Sequence, residues 1–272
     1  MPTPALAQIK ALTFDCYGTL VDWEHGLLSA LRPILERGAC HPSNEHILHA
    51  FAEAEREVES GAYMPYREVC AEVARLVAHR FAVTLAPGEE RALAESIARC
   101  PAFAETPGAL RELKPRFRLG VLSNIDDDLF ALTEPKLGVP LDLLVTAQGV
   151  RSYKPGPAHF EAALQRLGLR AGEVLHVAES RYHDVGPARA LGFRTAWVNR
   201  KGGGYSGGYS RGSSGGNSGG NPGGNPGGTS GGTSGGASAS GAGDARPDLT
   251  VGSLGELVQA IRAVSVQDER DR

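Results

Sequence analysis

Cysteine is scarce in this chain, aromatic residues make up only 6% of it, and long apolar runs are missing. The four cysteines (Cys16, Cys40, Cys70 and Cys100) are scattered, with no CxxC pair and no histidine at zinc-ligand spacing. That pattern excludes a disulfide framework and a structural zinc site, and leaves buried or incidental thiols. No run approaches the roughly 18 apolar residues of a membrane-crossing helix. The opening MPTPALAQIK lacks a charged region followed by the apolar stretch of a secretory signal, so a cytoplasmic protein is expected. Excess charge is missing too. A formal net charge of -3 and a pI near 6.3 give no electrostatic reason to bind nucleic acid or an anionic membrane.

Glycine looks abundant, but 20 of the 36 fall within residues 202–243. The other 230 residues hold 16, close to the about 7% of ordinary globular chains. The tract contains GGYSGGYS, GGNPGGNPGG and GGTSGGTSGG, short repeats with almost nothing to bury, and a disordered loop is expected there. Its Tyr205 and Tyr209 are the residues that self-association would use. Beyond it, Leu249 and Val251 read as a short strand, and Leu254, Leu257, Val258, Ile261 and Val264 as a helical stripe. The tract is therefore an expanded loop within one fold, tolerable because loop-closure entropy grows only logarithmically with length.

Residues 9–14 form a short apolar strand. From about residue 22 to 100 the periodicity is helical, with stripes at Leu27, Leu28, Leu31, Ile34 and Leu35, at Phe51, Ala54 and Val58, at Val69, Val73, Leu76 and Val77, and at Leu93 and Ile97. After Thr106-Pro107-Gly108 strands alternate with helices: a helix with Leu110 and Leu113, strand 117–122, helix 126–137, strand 142–146, helix 157–167, strand 173–178, helix 184–191 and strand 194–198. This alternation predicts an α/β fold with a parallel sheet and helices on both faces. Asp15, Ser123, Asn124, Glu179 and Asp184 each follow a strand, the edge where such sheets bind ligands.

Phe14-Asp15-Cys16-Tyr17-Gly18-Thr19-Leu20 is the most informative segment. A carboxylate at a strand end before a glycine turn can project as a nucleophile, although the same pattern also describes an ordinary loop aspartate. Together with Leu122-Ser123-Asn124, Tyr153-Lys154-Pro155 and Glu179-Ser180 through His183-Asp184, it resembles the four ordered motifs of the haloacid dehalogenase superfamily. The closest subgroup is that of the type II (S)-2-haloacid dehalogenases.

The resemblance implies a Rossmann-like parallel sheet core (1–21 and 105–272) with an inserted all-helical cap (22–104). It implies a hydrolase in which Asp15 attacks an electrophilic carbon or phosphorus and the resulting ester or acyl-phosphate is hydrolysed. Thr19 and Ser123 would donate hydroxyl hydrogen bonds, and backbone N–H groups around Cys16, Tyr17 and Asn124 would hold a substrate carboxylate or phosphate. Lys154 would keep Asp15 ionised, and Asp184 completes the catalytic set.

Two residues after the nucleophile, phosphatases of the superfamily usually carry a second aspartate to protonate the leaving group. Tyr17 stands there, as in the dehalogenase subgroup, either for catalysis or for packing. The fourth motif departs from the dehalogenase pattern Ser-Ser-Asn-x-Trp-Asp, keeping only the last Asp and one Ser, and Phe160 replaces a tyrosine six residues after the motif lysine. Arg56 and Arg67 are the candidates for the cap arginine that receives halide.

Glu179 and Asp184 also have the spacing of the acidic pair in metal-dependent members. With Asp15 they would supply oxygen ligands to Mg²⁺; the other reading has Asp184 orienting Lys154 and Glu179 compensated by Arg181. Hydrolytic dehalogenation of a small 2-haloacid, without a cofactor, is the first expectation. A Mg²⁺-dependent phosphatase of a small phosphorylated metabolite is the alternative, and a binding protein on the same fold a lesser one. The expected partner is a small molecule, with a homodimer left open.

His46 and His49 share a helical face but have no third ligand nearby, so a solvated face is expected. Asp126, Asp127 and Asp128 suit the positive end of a helix dipole rather than a metal. Trp23 and Tyr63 are candidates for the cap side of a substrate cavity.

Overall fold

The structure, a computed structural model, describes residues 8–39, 41–200 and 246–270. The glycine tract with Tyr205 and Tyr209, and Cys40, lie outside the described residues. Six parallel strands form one sheet in the order β3-β2-β1-β4-β5-β6. They are β1 (Ala11–Phe14), β2 (Arg118–Ser123), β3 (Leu143–Thr146), β4 (Val174–Ala178), β5 (Arg194–Val198) and β6 (Leu249–Val251), with the short helix α8 (Ala147–Val150) directly after β3. β1 sits centrally, its residues Ala11 to Phe14 paired with Arg118 to Val121 on one side and Val174 to Val177 on the other.

Both faces of the sheet are covered, which is why β1 and β4 are buried along their whole length. Leu12 and Phe14 pack on one face with α5 (Thr106–Leu113) and α11 (Leu254–Arg270). Ala11 points the opposite way, into a second cluster with α9 (Ala158–Leu167) and α10 (Gly186–Ala190). β6 pairs with β5, so the segments flanking the glycine tract belong to one sheet.

Between β1 and β2 the chain forms α1 (Trp23–Leu35), α2 (Asn44–Glu59), α3 (Tyr66–Arg80) and α4 (Ala92–Ser96). These pack around their own core, including Leu31, Ile47, Phe51, Val73 and Val77. Burial of each such side chain contributes on the order of 1.5–3 kcal/mol. The crossings into and out of this block run side by side: Asp22 N–H donates to Pro101 O, Phe103 N–H to Leu20 O, and the Thr106 hydroxyl to Leu20 O.

Two expected helices are broken. The helix expected over 126–137 is two short pieces, α6 (Asp127–Ala131) and α7 (Glu134–Leu137), with Pro135 in the first turn of the second. Proline has no N–H to continue the first piece. Asp126 is not a helix-dipole partner of its own helix. Its buried carboxylate accepts the Tyr66 and Arg67 N–H groups at 2.9 and 3.0 Å, closing the first turn of α3 from the sheet side. Asp128 pairs with Arg67, and Asp127 accepts from the Thr146 hydroxyl. The helix expected over 184–191 opens with a π turn, Arg181–Val185, before Gly186 and Pro187.

Among the described residues, no helix is long and apolar enough to cross a membrane. Cys16, Cys70 and Cys100 are free and buried.

Candidate active site

β1, β2 and β4 end beside one another, which brings the residues after each strand to one edge. A cavity of about 120 Å³ opens there, with the helical block forming its far side. Asp15, Tyr17, Ser123, Asn124, Lys154, Glu179 and Asp184 all line it.

Asp15 follows β1 and is held by a tight turn in which the Cys16 carbonyl accepts the N–H groups of Thr19, Leu20 and Val21. Gly18 occupies this turn at φ +98°, where a Cβ would meet the Trp23 indole at 3.1 Å. The turn swings Thr19 back so that its hydroxyl donates to Asp15 Oδ2 at 2.9 Å and accepts the Glu179 N–H at 3.0 Å. The Cys16 side chain faces the core instead of the cavity, and burial pushes its thiol well above the ordinary range.

Lys154 reaches under the sheet edge and is 2% exposed. Its Nζ donates to Asp15 Oδ1 at 2.9 Å, Asp184 Oδ1 at 2.6 Å and Leu122 O at 2.8 Å, filling its three donor positions. Burial opposes the ammonium charge, but the two carboxylates outweigh it and hold the lysine above its usual value. Burial also opposes ionisation of Asp184, yet Lys154 and His176 keep that carboxyl well below the carboxylate range. Asp15 goes the other way. Burial, helped by the Asp184 charge, pushes it up against the pull of Lys154 and Thr19.

Asn124 holds the lysine's backbone rather than facing a ligand with its amide. Its Oδ1 accepts the Lys154 N–H at 2.7 Å and its Nδ2 donates to Lys154 O at 3.1 Å. Tyr17 is bonded as well: its hydroxyl is 2.8 Å from Thr133 Oγ1, and burial pushes the phenol well above its ordinary range. Ser123 Oγ differs. It is buried, lines the cavity and has no hydrogen-bond partner among the described residues.

His176, in the middle of β4, escaped sequence reasoning because it sits in an otherwise apolar strand. Its Nε2 lies 3.0 Å from Asp184 Oδ1 and its Nδ1 3.0 Å from Thr13 Oγ1. A carboxylate only accepts, so Nε2 donates to Asp184, while Nδ1 and the Thr13 hydroxyl share the second hydrogen bond. Glu55, Glu59 and Tyr66 of the helical block also line the cavity and were not anticipated. Glu55 and Glu59 stand among the charged residues Glu53 to Glu59, and Tyr66 opens α3.

Neither cap arginine lines the cavity. Arg67 is exposed on Asp128, while Arg56 stacks 5.6 Å over the Tyr182 ring. Trp23 does line it, but Tyr63 packs on Tyr153 at 5.6 Å instead. His46 and His49 are exposed. Among the described residues no group of three His, Cys, Asp or Glu side chains is arranged to hold a metal ion. Lys154 Nζ lies between Asp15 and Asp184, within hydrogen-bond distance of both.

An aspartate-bearing turn after β1, a buried lysine and a paired aspartate after β4 agree with the motif order, and the family model of the haloacid dehalogenase-like hydrolases matches residues 9–192. The chain belongs to the haloacid dehalogenase-like hydrolases.

Among curated members of this family, it is 28% identical over 200 residues to haloacetate dehalogenase H-2 of Moraxella sp. (strain B), covering 72% of this chain and 88% of that one. It is also 28% identical over 213 residues to the (S)-2-haloacid dehalogenase of Pseudomonas sp. (strain YL), covering 71% and 84%. In fold it resembles the L-2-haloacid dehalogenase from Xanthobacter autotrophicus, solved with chloropropionic acid covalently bound. That match has a TM-score of 0.69 at 20% identity and covers 93% of this chain and 98% of that one. This haloacid dehalogenase-like hydrolase is thus an enzyme, with an α/β parallel sheet carrying a helical cap.

Proposed function

We propose that this hydrolase releases halide from a small 2-haloacid, with Asp15 as the nucleophile. An Asp15 oxygen attacks the carbon bearing the halogen, the carbon–halogen bond breaks, and halide departs with the bonding electrons. The product is an ester between Asp15 and the substrate. Water then adds to the Asp15 carbonyl carbon. The intermediate collapses to the 2-hydroxy acid and a regenerated carboxylate, and one proton is released.

The observation that carries this reading is the pair of contacts on Asp15, Lys154 Nζ on one oxygen and the Thr19 hydroxyl on the other. They favour the ionised carboxylate before attack and are placed to stabilise the oxyanion that forms when water adds. Tyr17 fits the same reading. A phenol bonded to Thr133 and pushed up by burial is a poor proton donor, and a departing halide needs no proton. The names of the curated relatives point to the same substrate class.

Purified protein incubated with (S)-2-chloropropionate in EDTA should release halide, and Asp15→Asn should not. Absence of halide, together with Mg²⁺-dependent phosphate release from small phosphate esters, would favour the phosphatase alternative. The binding-protein reading gains only if both activities are absent and a partner is lost on deletion of residues 202–243.

A further inference from the structure

His176 stands in β4 between Leu175 and Val177, fully buried, and it does not line the cavity. A polar ring inside a parallel sheet is costly unless its nitrogens are bonded, and here each has a partner. Nε2 donates to Asp184 Oδ1 at 3.0 Å, and Nδ1 shares a hydrogen bond of 3.0 Å with the hydroxyl of Thr13, its register neighbour on β1. The ring is also held from the helical side. Phe160 of α9 meets it edge-on at 5.2 Å and packs in turn on Phe193 at 5.7 Å. Phe160 stands where the dehalogenase pattern has tyrosine, so a residue that departs from the pattern helps to seat the imidazole.

The contact falls on the same Asp184 oxygen that Lys154 uses. Nζ donates to that Oδ1 at 2.6 Å and to Asp15 Oδ1 at 2.9 Å. One ammonium thus faces two carboxylates, and Asp184 has the shorter contact. Were Lys154 the sole donor to Asp184, that buried charge would draw Nζ toward itself and away from Asp15. His176 Nε2 occupies a second acceptor direction of the same oxygen, which fixes the carboxylate's orientation and offsets part of its charge.

We propose that His176 is a positioning residue for the nucleophile: by donating to the Asp184 oxygen that binds Lys154, it keeps Nζ shared with Asp15. The proposal rests on the reading of Asp15 as the nucleophile. Without this donor Asp15 has a weaker hold on its cation, and a carboxylate with a weaker donor keeps its proton to a higher pH. The other groups around the cluster are accounted for. Thr19 donates to Asp15, and burial pushes Cys16 and Tyr17 well above their ordinary ranges. Burial pushes His159 of α9 down to about 3 and His183 down to about 4. Glu55, Glu59 and Glu179 also line the cavity, and they are present in every His176 variant, so the difference between variants reports on the cluster.

Glutamine can place its amide N–H where Nε2 stands, asparagine reaches only to the place of Nδ1, and leucine donates nothing. With (S)-2-chloropropionate, kcat should fall by about 10- to 10²-fold in H176N and H176L, with KM within about threefold, and should stay within a few-fold of wild type in H176Q. The acid limb of kcat/KM should move up by about one pH unit in H176N and H176L and stay in place in H176Q. A ring that only fills space would lower the urea midpoint without separating glutamine from asparagine. Equal kcat and an equal acid limb in folded H176Q and H176N would therefore overturn the proposal. If asparagine and leucine do not fold, H176Q decides alone. Turnover and acid limb close to wild type uphold the donor role, and a loss of about tenfold or more in kcat in folded H176Q overturns it.

If the wild type yields no halide, the dehalogenase reading fails on its own, and the ionisation of Asp15 is read without substrate. In protein labelled with ¹³C at the aspartate carboxyls, the Asp15 resonance is assigned by its absence in Asp15→Asn. It should titrate at a higher midpoint in H176N than in wild type or H176Q. One midpoint in all three overturns the proposal.

Discussion

Lys154 Nζ lies 2.9 Å from Asp15 Oδ1, with 1% of the lysine side chain exposed. The same ammonium touches Asp184 at 2.6 Å, so one positive charge compensates two buried carboxylates. His176 and Thr13 extend this chain of contacts beneath the sheet edge.

Removing the lysine leaves two like charges facing each other without water. Lys154→Ala should lower turnover by about 10²-fold or more and cost on the order of 3–5 kcal/mol of stability. Steady-state kinetics and urea unfolding check both. A stable variant with near-normal turnover would contradict the central place given to Lys154.

Tyr17 provides a contrasting case. Its hydroxyl meets Thr133 at 2.8 Å, a contact within the protein. Tyr17→Phe should lose about 0.5–1.5 kcal/mol of stability and keep turnover within a few-fold. A drop of about 10²-fold or more in kcat, with the fold intact, would make the phenol a participant in the chemistry.

Glu55 gives a pH signature in stability. Its folded value, about 7, lies above the ordinary 4.5, so its contribution is fully present below 4.5 and is lost as pH rises toward 7. Wild type should therefore lose stability relative to Glu55→Gln across that window, by at most about 1.4 kcal/mol per pH unit. Comparing urea midpoints of the two proteins at several pH values reads this group together with its effect on Glu59, whose carboxyl the Glu55 charge pushes up. A constant difference between them would show that Glu55 ionises freely in the fold.

Much of the core was legible from sequence, because central parallel strands read as short apolar runs and the motif residues follow them directly. Asp15, Ser123, Asn124, Glu179 and Asp184 could be placed on one sheet edge from strand order alone, and Lys154 came from the family resemblance. What was not legible depended on contacts between distant segments. Asn124 and Lys154 lie 30 positions apart, so nothing local shows that the amide grips the lysine's backbone. Asp126 looked like a helix start, whereas its carboxylate caps α3 some 60 residues earlier in the chain. Glu55 and Glu59 belong to a run of charged residues, and only the folding of α2 over the sheet turns their face toward a cavity. Pro135 divides the expected 126–137 helix into two pieces, a break that hydrophobic periodicity alone does not show.

The central claim is that Asp15 is covalently modified and then regenerated by water. A single turnover of (S)-2-chloropropionate in H₂¹⁸O, with enzyme in excess, tests it directly. The account predicts that the lactate hydroxyl carries unlabelled oxygen from Asp15, and that ¹⁸O appears in the peptide containing Asp15. Heavy oxygen in the lactate hydroxyl during that first turnover, with Asp15 unlabelled, would mean that water attacks the substrate carbon itself, and would contradict the account.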